Sequence, residues 1–259
     1  MGFQRAQRLS IFRKVALSTW SSGGDPSVYG FLEIDVTDLN ITASPMPMVI
    51  KALASIMEKH KELNSILRLG RLYYRQDINV SVLVNIPGEG RSDLSFANIQ
   101  NANTLSVAEI ENLLSKSTQL IRKKKDPHLG FALAIIHLFP AFVTKWILNS
   151  YCFFTHDLGV DLSLLRLPKT PFGSVIVTNI GSLGIKRALV PLVPFTRATM
   201  LMSIGEIGKE AKVINDKIEI RNIMNLGITF DHRFFDGSHA AAMIRDFENY
   251  FKTDSLNCL

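Results

Sequence analysis

The segment Met224-Asn225-Leu226-Gly227-Ile228-Thr229-Phe230-Asp231-His232-Arg233-Phe234-Phe235-Asp236-Gly237 changes its period partway along. Met224, Leu226, Ile228 and Phe230 recur at every second position, as in a strand with one buried face. Beyond Gly237 the apolar positions are Ala240, Met243, Ile244, Phe247, Tyr250 and Phe251, the spacing of an amphipathic helix. Asp231 to Gly237 is therefore a strand-to-helix turn, and it carries two ionisable side chains, His232 and Asp236. On such a turn one can serve as a base and the other as a structural anchor. Taken alone, such a histidine more often marks a packed, hydrogen-bonded residue, and an exposed helix N-cap is the lesser alternative for Asp236.

Working back toward the N-terminus, Val213-Ile214 and Ile218–Ile220 flank an Asn215-Asp216 turn, and Thr199–Ile204 and Ser174–Ile180 carry strand signals. Ser106-Val107-Ala108-Glu109 has the form of a capping box. It opens a helix with apolar positions Val107, Ile110, Leu113, Leu114, Leu120 and Ile121. From Ile66 to Ile86, β-branched and aromatic residues are broken at Leu69-Gly70-Arg71 and closed by Pro87-Gly88, which predicts two or three strands. Pro45 and Pro47 sit where a helix can begin, with Val49, Ile50, Leu53, Ile56 and Met57 at helical spacing, and Tyr29–Val36 reads as a strand. Strands and helices mixed without strict βαβ alternation predict an α/β two-layer sandwich with a mixed sheet. No repeat or linker divides residues 1–259, so a single domain is expected.

The bulk properties narrow the function without choosing it. With 259 residues and 47% hydrophobic content the chain can bury a sizeable core, and a net charge of +6 suits nucleic acid, an anionic membrane or a phosphorylated small molecule alike. The one tight basic run, Arg122-Lys123-Lys124-Lys125, reads as a solvated helix end, and no nucleic-acid-binding motif accompanies it. Cys152 and Cys258 offer neither a disulfide framework nor a cysteine-rich metal site, so a reducing, cytoplasmic setting is expected. Met1–Ser18 lacks the apolar core and cleavage site of a secretory signal. His60, His128, His137, His156 and His239 have no metal-ligand spacing and read as surface or packing residues; no metal is expected.

Six stretches, in order, resemble the catalytic domain of dihydrolipoyl acyltransferases, which shares its fold with chloramphenicol acetyltransferase. They are Phe12–Ala16, Leu32–Thr37, His60–Leu67, Thr104–Ile110, Val177–Gly184 and Asp231–Gly237. The resemblance implies a CoA-dependent acyltransferase in which His232 is the general base and Thr178 supplies the hydroxyl that stabilises the oxyanion. It also implies that Asp236 pairs with Arg13, with Asn179 and Gly237 supporting the site. CoA or acyl-CoA is then a substrate, and the active site forms between subunits of a homotrimer. A CoA thiol with a pKa of about 8.5, like that of cysteine, is mostly protonated at neutral pH, so a base is required. Thr178 stands where the family usually has serine: the donor is kept, but a methyl group is added and χ1 is restricted. Without the matching motif Thr178 would be an ordinary strand threonine.

Two features depart from that family. The chain opens almost at the catalytic domain, so it is expected to lack its own lipoyl and partner-binding domains. The acceptor is then a lipoyl domain in trans, or a hydrophobic molecule. Residues 126–171 form an insertion, with a 24-residue apolar span from Phe131 to Phe154. That span is long enough for a bilayer of about 30 Å, but His137, Pro140, Lys145 and Asn149 argue against crossing it. A buried helical insertion is the expectation, with peripheral membrane contact through residues 131–154 as the alternative. A catalytically idle scaffold within a larger acyltransferase assembly is the rival function.

Overall fold

The computed structural model describes residues 3–5, 26–39, 41, 44–87, 92–123, 141–162 and 172–254. In chain order its elements are β1 (Phe3–Arg5), β2 (Ser27–Asp35), α1 (Met46–Lys59), β3 (Ser65–Arg68), β4 (Arg71–Arg75), β5 (Val80–Pro87), β6 (Ser92–Ile99) and α2 (Val107–Arg122). Then follow α3 (Ala141–Cys152) with a π-helical turn (Phe153–Asp157), β7 (Val175–Asn179), β8 (Met200–Ile214), β9 (Lys217–Asp231) and α4 (Gly237–Asn249). Six strands form one sheet in the order β2-β9-β8-β7-β5-β6, and a smaller sheet has the order β1-β4-β3. The large sheet is mixed: β5–β7 and β7–β8 pair in parallel and its other neighbours pair antiparallel.

The core forms because α1, α2 and α4 lay their apolar sides on one face of that sheet. Val49, Ile50, Leu53 and Ile56 of α1, Ile110 and Leu114 of α2, and Met243 and Phe247 of α4 join Val80, Val175, Val177, Met200, Leu226 and Ile228 in one buried cluster. Each such side chain contributes about 1.5–3 kcal/mol relative to exposure. At the start of α2 both halves of the expected capping box are present, Ser106 accepting from the Glu109 backbone and Glu109 from that of Ser106.

The turn Asn215-Asp216 has both residues at positive φ, +48° and +61°, the backbone of a type I′ hairpin. It joins β8 and β9 into one continuous ribbon of 15-residue strands, longer than the separate short strands read from the sequence. The period of two over Met224–Phe230 does not correspond to an exposed face, since every residue from Ile223 to Asp231 is buried. The second face is covered by the segment between β7 and β8. An added Cβ on Gly205 would lie 1.9 Å from the Lys186 carbonyl oxygen, and one on Gly227 would lie 2.2 Å from that of Ala188. Strands β1 and β6 were not foreseen from the sequence. Among the described residues no helix is long and apolar enough to cross a membrane.

Candidate active site

β9 delivers His232 to its turn. Asp231, the last residue of the strand, is buried and receives both Nε and Nη2 of Arg233 on its carboxylate, at 2.6–3.0 Å. This bidentate pair brackets His232, whose backbone N–H donates to the Pro26 carbonyl at 2.9 Å. The imidazole Nδ1 lies 2.5 Å from the Phe235 carbonyl oxygen. A carbonyl can only accept, so Nδ1 carries the hydrogen and the lone pair of the neutral ring resides on Nε2. Asp231 and Arg233 were not singled out from the sequence, although their i, i+2 charge pattern around a histidine is the signal that could have found them.

Asp236 caps a helix, the lesser of the two roles that the sequence offered for it. It is the N-cap of α4, and its Oδ1 receives the backbone N–H groups of Ser238 and His239, the Ser238 hydroxyl and His239 Nδ1. Partial burial pushes this carboxyl up, but the hydrogen bonds from Ser238 and His239 outweigh it and hold it well below the usual carboxylate range. His239, read as a surface or packing residue, is its partner at 2.6 Å. The proposed Arg13 partner lies outside the described residues. Gly237 begins α4, where an added Cβ would meet open space, so its identity is not set by crowding.

Thr178 and Asn179 end β7. Asn179 orders the turn that follows: its Oδ1 accepts from Ser182 N at 3.2 Å and its carbonyl accepts from the Ser182 hydroxyl at 2.9 Å. Gly181 is required there, because a Cβ would sit 2.6 Å from the backbone of Gly205 and Glu206. Thr178 borders a groove of ≈ 750 Å³ that also exposes Ser44 and Met46 at the start of α1, Thr118 and Arg122 of α2, and Leu183.

The register separates the two candidate catalytic groups. Thr178 pairs with Ser203, and Ser203 with Gly227, five residues before His232. Five residues at about 3.3 Å each and two strand spacings of about 4.8 Å place the two Cα positions about 19 Å apart. Within one chain they cannot reach the same acyl carbon. Among the described residues no group of acidic, histidine or cysteine side chains is arranged to hold a metal ion.

The family model of the 2-oxoacid dehydrogenases acyltransferase (catalytic domain) matches residues 29–128 and 166–257, leaving 129–165 between the blocks. The dihydrolipoyllysine-residue acetyltransferase component of the pyruvate dehydrogenase complex of Rickettsia felis is 22% identical over 85% of this chain and 42% of its own length. The corresponding succinyltransferase component of the 2-oxoglutarate dehydrogenase complex of Buchnera aphidicola is 23% identical over 79% and 40%. The chain thus spans about two fifths of these relatives' lengths. Among solved structures, a probable dihydrolipoamide acetyltransferase of Listeria monocytogenes superposes with a TM-score of 0.63 at 18% identity, covering 96% of this chain and 94% of that one. The dihydrolipoamide acetyltransferase of Azotobacter vinelandii gives 0.65 at 13% identity over 91% and 85%. A chloramphenicol acetyltransferase gives 0.50 at 12% identity over 96% and 100%, so the fold is that of the chloramphenicol acetyltransferase-like proteins. With both matched blocks accounted for, the chain belongs to the 2-oxoacid dehydrogenase acyltransferase family through its catalytic domain.

Proposed function

We propose that this chain transfers an acyl group between CoA and an acceptor thiol, hydroxyl or amine, with His232 as general base. The single observation that carries this reading is the Nδ1 contact to Phe235, which puts the lone pair of the neutral ring on Nε2, just past the end of β9. Nε2 takes the thiol proton as sulfur attacks the acyl carbonyl, an arrangement worth on the order of 10²–10⁴ in rate. The Thr178 hydroxyl donates to the oxyanion of the tetrahedral intermediate, for which a well-placed donor contributes roughly 3 kcal/mol. When that intermediate collapses, the proton passes from the imidazolium to the departing group. Asp236 acts by holding the start of α4, and Asp231 with Arg233 holds the turn.

The separation of His232 from Thr178 supports a site shared between two copies, each contributing one group, in a homotrimer. Support for the residue roles comes also from the Azotobacter vinelandii enzyme, whose structure addresses a serine, a histidine and an asparagine in its catalytic mechanism. CoA and its acceptor are read as substrates that approach the groove beside Thr178, and the acceptor is a lipoyl domain on another chain or a hydrophobic molecule. The cytoplasm is the compartment this reading assigns.

The test is conversion of acyl-CoA to CoA across a panel of acyl-CoAs with dihydrolipoamide as acceptor, the two CoA species being separated and quantified by liquid chromatography. Wild-type turnover with at least a hundredfold loss in folded His232→Ala is expected. Equal turnover in the two proteins removes His232 from the mechanism, and absence of turnover with every acyl-CoA favours a scaffold.

A further inference from the structure

Past the strands that flank them, β8 and β9 run on as a two-stranded ribbon. Pairing with β7 ends at Ile204 and pairing with β2 at Ile223, while β8 and β9 stay paired from Ile207 and Met224 out to Ile214 and Lys217. On one side of this ribbon the polar residues are held by the chain itself. Lys212 meets Glu33 and Glu210 at 2.5 and 3.1 Å, and Arg221 meets Asp35 and Asp38 at 2.7 and 3.0 Å. The alternate residues continue the row of Met224 and Ile207, the first buried in the main core and the second packed against it. Beyond the pair Lys209 and Asn222 that row meets solvent: Val213 is 71% exposed, Ile218 78% and Ile220 73%. Val213 pairs directly with Ile218, and Ile220 with Ala211, so they form one continuous apolar strip.

Two strands whose apolar side is uncovered are marginal in water. At about three-quarters exposure the strip presents roughly 300 Å² of apolar side chain, the size at which a patch on a monomer marks an interaction site. A second exposed apolar surface lies on the opposite side of the sheet. Tyr29 and Phe31 of β2 are about half exposed, and Phe31 pairs with Gly227, over which Ala188 crosses; Ile185 and Leu189 of that crossing segment are exposed too. This surface also offers roughly 300 Å². Set against each other, the two bury roughly 600 Å² of apolar area, which at an apolar share of about 57% corresponds to a contact of about 1,000 Å², the threshold of a specific interface. Because the two surfaces differ, a contact between them is head-to-tail, the kind that closes into a ring.

We propose that the apolar side of the β8–β9 ribbon docks on the Tyr29–Phe31 surface of a second copy of this chain. That the occupant is a second copy rests on the shared-site reading above, in which one chain cannot bring Thr178 and His232 to the same acyl carbon and so requires a neighbour. The ribbon is then the arm that holds the neighbour the site needs, and the same contact covers the strip.

The experiment is the mass of the full chain by light scattering after size-exclusion chromatography, with the far-UV circular dichroism spectrum as the control for folding. Ile218 and Ile220 are exposed in the single chain, so the double variant Ile218→Lys, Ile220→Lys leaves the subunit's own fold intact while it puts two charges into a contact that must be dry. The wild type is expected at three times the chain mass, and the folded double variant and folded Phe31→Lys at one, a threefold fall. A single-chain wild type overturns the proposal, and so does either folded variant that keeps the wild-type mass. If the ribbon variant keeps its mass and instead loses a wild-type cosedimentation with phosphatidylglycerol vesicles, the strip belongs to a lipid surface and the proposal falls. Acyl-CoA conversion by the same samples separates this surface from the shared site. A single-chain ribbon variant with undiminished turnover upholds the docking surface and refutes the shared site. An inactive wild-type oligomer whose ribbon variant dissociates upholds the surface and removes acyl transfer.

Discussion

If His232 and Thr178 act at one acyl carbon, two inactive variants should restore activity when they share an oligomer. The sheet register separates the two residues by about 19 Å, whereas reacting groups must approach to about 3–3.5 Å, and side chains cannot close that gap. Each site then takes its histidine from one copy and its threonine from the neighbour. Co-assemble equal amounts of His232→Ala and Thr178→Ala by joint refolding or co-expression. A site is intact only where a Thr178→Ala subunit supplies histidine to a His232→Ala subunit that supplies threonine, which random mixing produces at roughly one half times one half of the interfaces. Turnover per site should therefore recover to roughly a quarter of wild type, far above either parent. The assay is the rate at which acyl-CoA is converted to CoA, with subunit mixing verified by native mass spectrometry of differently tagged chains. A mixed oligomer no more active than the average of its parents would refute the shared site, because a site within one chain always lacks one group.

Thr178→Ser should retain activity while Thr178→Ala loses about 3 kcal/mol of transition-state stabilisation, seen in kcat more than KM; three equal rates would leave Thr178 a strand residue. Asp236→Ala should cost about 1 kcal/mol in denaturant unfolding and Asp236→Asn only a few tenths, because asparagine also caps a helix; a large loss in Asp236→Asn would show that its charge is needed by a partner. His156 titrates well below its unfolded value of 6.5, at about 3, because burial and three arginines disfavour its cation. Its contribution is complete above pH 6.5 and is lost as pH falls toward 3. Going from pH 7 to pH 5 should cost about 2 kcal/mol through this group, and His156→Leu should be correspondingly less acid-sensitive; identical slopes would refute it. Gly205→Ala should destabilise by about 1–3 kcal/mol, since its Cβ would strike the Lys186 carbonyl rather than a movable side chain; an unchanged midpoint would mean that the covering segment is free to shift.

The elements bounded by local chemistry were legible in the sequence. Ser106 and Glu109 announce the start of α2 because both partners of the capping box lie within one helical turn. Asn215-Asp216 announces the β8–β9 hairpin because few residues tolerate two successive positive φ values. The helical spacing after Gly237 and the ending of β9 at Asp231 likewise placed His232 on its turn, and the ordered family motifs supplied its expected partner in chemistry, Thr178.

Only the tertiary structure decided what depends on residues distant in the chain. The burial of Ile223–Asp231 on both faces comes from a segment some forty residues earlier crossing Gly205 and Gly227, so periodicity along β9 could not report it. The distance between His232 and Thr178 follows from strand order, which side-chain patterning does not encode. His156 read as an ordinary histidine because burial, which chiefly sets its charge state, and the arginines that reinforce it, Arg75 and Arg68 of the small sheet and Arg197 before β8, depend on parts of the chain distant from it. Composition and spacing determined the local elements and the candidate chemistry; which charges meet was fixed by burial, where the cost of an unpaired polar group depends on everything packed around it.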